Sequence, residues 1–240
     1  AWGITMETGK AVVDYTYATQ LRNRNNQVES NPMWLSAPAS AFFAGNLITA
    51  NLESMLLPVA GAIESLPDSI YTVEPLVQSS TNSVKVDAFS HNMNVNAIRR
   101  DFKPSGTIHN LAVRISGTFK TAFPDGKPEA EAKAGEPASE TDAKVAEAPL
   151  KEGKATSVIV VVADSDLLYD GYYLSQQNLL GFTISNIFND NLNFMLNASE
   201  MLTGNPALIS IRSRGTFERP FTRVQELERK AQDRWLDQEQ

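Results

Sequence analysis

Val158-Ile159-Val160-Val161-Val162-Ala163-Asp164-Ser165-Asp166 is the stretch on which the reading of this sequence turns. Six consecutive apolar residues are the length of one strand, and an unbroken apolar run is expected of a strand covered on both faces, as in a parallel sheet. Downstream, Leu192, Met195, Leu196 and Leu202 recur at helical spacing over Asn191 to Leu202, with Gly204 placed to cap the helix C-terminus. Ala207 to Ile211 then reads as a further strand. Strand, crossover with a helix, strand is a βαβ unit, and right-handed crossovers of that kind build parallel sheets with helices on both faces. The expected fold class is therefore α/β with a mostly parallel sheet.

Upstream, Val12-Val13-Asp14, Met33-Trp34-Leu35, Val59 to Ile63, Val73 to Val77 and Leu111 to Phe119 read as strands. The last alternates with period two, as a strand with one wet face should. Tyr15 to Asn31 is polar and reads as a loop. Ile48, Leu52, Met55 and Leu56 suggest a short helix stopped by Pro58. Pro124 to Lys154 is built from Ala, Glu, Lys, Pro, Gly, Ser, Thr and Asp with almost no large apolar side chain, and is expected to be a disordered insertion at about residues 124–156. The expected organisation is one α/β domain over residues 1–220, interrupted by that insertion. An amphipathic helix over 221–240 carries Val224, Leu227, Ala231 and Trp235 on one stripe and could serve as a membrane-proximal stalk.

Composition narrows the function. The chain has 240 residues, no cysteine, a net charge of −7 and an isoelectric point near 5.0. Thiolate nucleophiles and cysteine-based metal centres are excluded, and an acidic chain is a poor match for a nucleic-acid backbone, so no nucleic-acid partner is expected. Glycine-rich phosphate loops are missing, and no apolar stretch reaches 18 residues. No cofactor and no bound metal are expected.

Asp164 and Asp166 follow the best strand at the carboxyl end of the expected sheet, where ligands of open α/β folds bind. Two carboxylates one residue apart can hold Mg²⁺ or supply a nucleophile and an acid, as in haloacid-dehalogenase-type phosphatases. Those enzymes want Thr or Val two places after the second Asp, and Leu168 stands there. The plainer alternative is a pair of turn or cap residues. Asn191, opening the downstream helix, joins them as a candidate ligand or partner contact at the same sheet edge. Arg212, Arg214, Arg219 and Arg223 form a basic patch suited to a partner's carboxylates or to pairing within the chain. His91 and His109 lack a nucleophile-elbow context, and Trp34, Tyr71, Tyr172 and Tyr173 could line a sugar- or peptide-binding cleft or simply belong to the core.

Several of these segments together resemble a known family. Val160 to Asp166, Asn189-Asp190-Asn191, Leu202-Thr203-Gly204, and Leu208 to Gly215 followed by Arg219-Pro220-Phe221 are similar to the gliding-motility auxiliary component of ABC transporters, the GldG-like family. Trp2-Gly3-Ile4, Val12-Val13-Asp14 and the stretch from Pro75-Leu76 to Ser79-Ser80 fit the same pattern. The resemblance implies a fold like that of class I glutamine amidotransferases, a flavodoxin-like three-layer arrangement, but carries no catalytic residue across because the cysteine nucleophile is absent. It also implies a non-catalytic region on the extracytoplasmic, periplasmic side of the bacterial inner membrane, anchored by helices outside this sequence and working beside a permease and an ATPase. The Mg²⁺-dependent phosphohydrolase and the sugar- or peptide-binding domain are the alternatives.

Overall fold

The computed structural model describes residues 2–22, 25–88, 95–123, 151–179 and 182–204. Twelve strands and two α-helices are formed by these residues: β1 (Ile4–Met6), β2 (Lys10–Asp14), β3 (Ala18–Arg22), β4 (Val28–Pro38), β5 (Ser54–Pro58), β6 (Ile63–Ser65), β7 (Thr72–Gln78), β8 (Ser83–Asp87), α1 (Val95–Asp101), β9 (Asn110–Gly117), β10 (Ser157–Val162), β11 (Leu174–Leu179), β12 (Phe182–Ile187) and α2 (Asn191–Leu202). The expected 124–156 insertion, the strand at Ala207 to Ile211 and the 221–240 helix lie wholly or largely outside the described residues.

Every strand pairing among the described residues is antiparallel, which overturns the expected parallel α/β, three-layer fold. The largest sheet runs β1-β6-β9-β10, with β7 also paired to β9; β3-β4-β5 form a second sheet, and β2-β8 and β11-β12 are two-stranded. The misleading signal was β10 itself. Val160 and Val162 pack on the main core with Leu111, Leu76 and Phe194, whereas Ile159 and Val161 pack on a second cluster with Val113, Ile115 and Tyr71. Both faces are thus apolar, as the sequence implied, but the neighbour is antiparallel β9, with Val161 opposite Val113, and no other named strand flanks β10. An unbroken apolar run reports two packed faces and is silent on strand direction.

The segment expected as a simple crossover after β10 instead holds the β11-β12 hairpin, with Leu174 opposite Ile187. The expected helix around Ile48 to Leu56 is turns followed by β5. Asn46 takes the Ile48 N–H on its side-chain oxygen at 3.0 Å, and Asn51 sits at φ 68°, so local side-chain bonding and a left-handed residue end any helical path before Leu52. Met55 and Leu57 then face the core from β5. Tyr15 to Asn31, expected as a loop, contains β3, whose polar residues suit an edge beside β4. Val59 to Ile63 is a connection leading into β6 rather than a strand, and Val59 sits at φ 57°, rare for a β-branched residue.

Where strands were expected at Val12-Val13, Met33-Trp34-Leu35, Val73 to Val77 and Leu111 to Phe119, β2, β4, β7 and β9 are found, the last ending at Gly117. Pro75 is accommodated in β7 by a register shift against β9, which removes the need for its missing donor. Helix α2 has the expected limits, and Gly204, at φ 78°, donates to the Met201 carbonyl at the cap.

Candidate functional site

The end of β10 leads into a short turn held at both sides. Ala163 donates to the Leu111 carbonyl and accepts from Gly61 N–H at 2.7 Å. Four residues later Leu167 is 4% exposed in the main core, and its carbonyl accepts from the Asn191 side chain at 2.9 Å. Between these anchors the Asp164 carboxyl folds back, its Oδ1 accepting the Asp166 N–H at 2.8 Å. The Asp164 Oδ2 is covered and has no hydrogen-bond partner. Burial pushes this carboxyl up to about 6, with the neighbouring Asp166 charge adding to the rise and the backbone amides opposing it. Asp166 is exposed, with Ser165 Oγ 3.4 Å from its Oδ1.

Asn191 lies beside this turn but is fully buried. Its side-chain amide donates to the carbonyls of Leu56 at 2.8 Å and Leu167 at 2.9 Å, and its oxygen accepts the Leu56 N–H at 2.9 Å. The two residues before it extend the same clip. Asp190 Oδ2 takes the N–H groups of Glu53 and Ser54, while Asn189 donates to the Tyr172 carbonyl at 2.6 Å. Asn189-Asp190-Asn191 therefore joins the start of α2 to β5, to the Asp164 turn and to the Tyr172 turn. The structure brings Asp164, Asp166 and Asn191 into one neighbourhood, with Asn191 as the tie that shapes it.

Among the described residues no group of three or more acidic or histidine side chains is placed to hold a metal ion. Among the described residues, Asp164 and Asp166 thus have beside them no third ligand of the kind a phosphohydrolase centre would require. His109 is largely buried, with an unpartnered Nε2 and its pKa lowered by desolvation. Asp14 binds the amides of Thr16, Tyr17 and Ser80 and the Ser80 hydroxyl instead of an imidazole, so no Ser–His–Asp relay runs through it. His91 and the patch Arg212, Arg214, Arg219 and Arg223 lie outside the described residues.

The four candidate aromatics do not form one cleft. Tyr71 stacks on Phe119, with ring centres 5.0 Å apart, in the second core cluster. Tyr173 donates to Asp170 at 2.8 Å. Trp34 and Tyr172 do meet, edge to face at 5.2 Å, and Tyr172 meets Tyr169 in the same manner at 5.1 Å. Burial raises the Tyr172 pKa, and the charges of Asp166 and Asp164 add to the rise. Tyr169 was the residue missed by sequence reasoning. The density of Tyr and Asp in Tyr169-Asp170-Gly171-Tyr172-Tyr173, directly after the carboxylate pair, is the signal that could have found it.

No helix among the described residues is long and apolar enough to cross a membrane. No curated protein and no solved structure matches the chain. The family model described as ABC-type uncharacterized transport system matches residues 1–198, well over half of the sequence, and the chain accordingly belongs to that family of transport-system auxiliary proteins.

Proposed function

We propose that this chain is a non-catalytic, extracytoplasmic binding domain of a GldG-like auxiliary protein that works beside the permease and ATPase of its ABC transporter. On this reading the full-length protein is held to the membrane by helices outside this sequence, on the periplasmic side of the bacterial inner membrane. The observation that carries the reading is the construction of the turn after β10. The Asp164 Oδ1 is engaged by the Asp166 amide, its Oδ2 is covered, and the adjacent Asn191 is consumed in holding backbone together. These groups are arranged as a rigid support for an exposed surface, the Tyr169 and Tyr172 ledge, rather than as a reacting pair. Membership of the transport-system family supports the transporter as the setting.

Co-purification from detergent-solubilised membranes tests this. The full-length protein is expected to carry the permease and ATPase with it and to show no turnover of phosphate monoesters with Mg²⁺. Isolation without either subunit, or turnover abolished by Asp166→Asn, would overturn the reading.

A further inference from the structure

The ledge beside the Asp164 turn combines exposed apolar side chains with charge of one sign. Leu168 is 43% exposed and Tyr169 65%, while Ile187 and Phe188, joined to this region by the Phe188 N–H to Tyr173 carbonyl bond, are 50% and 49% exposed. Leu168 and Tyr169 are adjacent in the turn and Tyr169 meets Tyr172 ring to ring, so exposed apolar side chains concentrate in this region, as soluble surfaces usually avoid unless something docks there. Around them stand Asp164, Asp166 and Asp170. Between Lys154 and Arg212 the sequence has no Lys, Arg or His at all, so this stretch brings no cation of its own to offset those carboxylates. The charges of Asp166 and Asp164 both reach Tyr172.

We infer that the ledge formed by Leu168, Tyr169, Tyr172 and Phe188, rimmed by Asp166 and Asp170, is a docking surface for a basic polypeptide segment that presents apolar side chains between Lys or Arg residues. This rests on the reading of the domain as a binding module. Charge complementarity selects the occupant. A cation gains from the carboxylates and from the faces of Tyr169 and Tyr172, and its apolar neighbours cover the exposed side chains. An acidic membrane surface is repelled by the same charge.

The test is calorimetric titration of the 240-residue chain with an alternating leucine–arginine dodecapeptide at low ionic strength, with a leucine–glutamate peptide as counterpart. Saturable binding of the basic peptide is expected, with no binding of the acidic one. Tyr169→Ala and Asp166→Asn are each expected to weaken it by about 2- to 5-fold, and the double variant by roughly 10-fold or more. The pair Asp68→Asn and Ile70→Ala controls for indiscriminate attraction. It alters another exposed apolar and acidic site near Tyr71, where β9 ends and β10 begins, at the far end of that strand pair from the Asp164 turn, and is expected to leave affinity unchanged. Tyr169 and Asp166 are exposed, and circular dichroism should find both variants folded. Absence of binding, or equal loss in the Asp68/Ile70 control, overturns the inference. If the transporter subunits co-purify while the peptide fails to bind, this inference falls and the domain's transporter role stands. If the peptide binds at the ledge and no subunit co-purifies, the transporter role falls alone.

Discussion

Replacing Asp164 by Asn should make the protein more stable at neutral pH and leave it no more stable near pH 4. The carboxyl ordinarily titrates at 3.8, and burial raises it to about 6 in the folded chain. Below 3.8 the group is protonated in folded and unfolded chains alike and contributes no pH dependence. Between 3.8 and about 6 the unfolded chain has released its proton while the folded chain still holds it, so stability falls as pH rises, and it levels off above about 6. The full difference is worth on the order of 3 kcal/mol. An Asn side chain keeps the oxygen that accepts the Asp166 N–H but leaves a covered amide donor where Oδ2 has no partner, at a cost of about 1–2 kcal/mol. The expected net gain at pH 7.5 is therefore about 1–2 kcal/mol, or roughly 2–8 °C in Tm for a domain of this size. Urea unfolding of both proteins from pH 4 to pH 8 measures the difference directly. A difference that is constant across this range, or that shrinks as pH rises, would refute the argument that burial of the Asp164 charge sets it.

Asn191→Ala should lower stability by about 3–5 kcal/mol in urea unfolding, because the Leu56 N–H and the Leu56 and Leu167 carbonyls lose their partner inside the core. Asn191→Asp should not rescue it, since a carboxylate oxygen would then face two carbonyls. Gly3→Ala should cost about 2–3 kcal/mol: the residue is at φ 76°, and an added Cβ would lie 1.9 Å from Ser69 Oγ, which holds the Tyr71 amide. A smaller loss would mean that the Ser69 turn yields freely. Val59→Gly should stay within about 1 kcal/mol of the parent, because release of backbone strain at φ 57° offsets the lost packing, whereas Val113→Ala at a fully buried site should cost about 2–3 kcal/mol. Equal losses in the two would argue against strain at Val59.

How far the sequence could be read depended on whether the deciding interaction was local. Helix α2 was legible because its apolar spacing and Gly204 lie within fourteen residues of one another. The strands β2, β4, β7 and β9 were legible from short apolar or alternating runs. Strand direction was not, because the partner of Val161 is Val113, across a stretch of about 40 residues with almost no large apolar side chain, and nothing in the valine run encodes which way that partner points. The helix expected near Leu52 failed for a local reason, since Asn46 and Asn51 redirect the backbone where apolar spacing alone favoured a helix. At the candidate site, the carboxylate pair was visible by its place after β10. That Asn191 would be buried between Leu56 and Leu167 was not, because one of those partners is 135 residues away.

That separation bears on how the molecule is made. The amides of Glu53, Ser54 and Leu56 emerge from the ribosome early, and the side chains that satisfy them, Asp190 and Asn191, follow some 135 residues later. At ordinary synthesis rates the interval is about 7–27 s. Throughout it Met55 and Leu57 lack Phe194 and Ala198, which complete their core from α2. The newborn chain thus presents an unfinished apolar sheet for many seconds, a window in which a holdase chaperone, or an export machine that requires an unfolded passenger, can engage it before the last helix closes the fold.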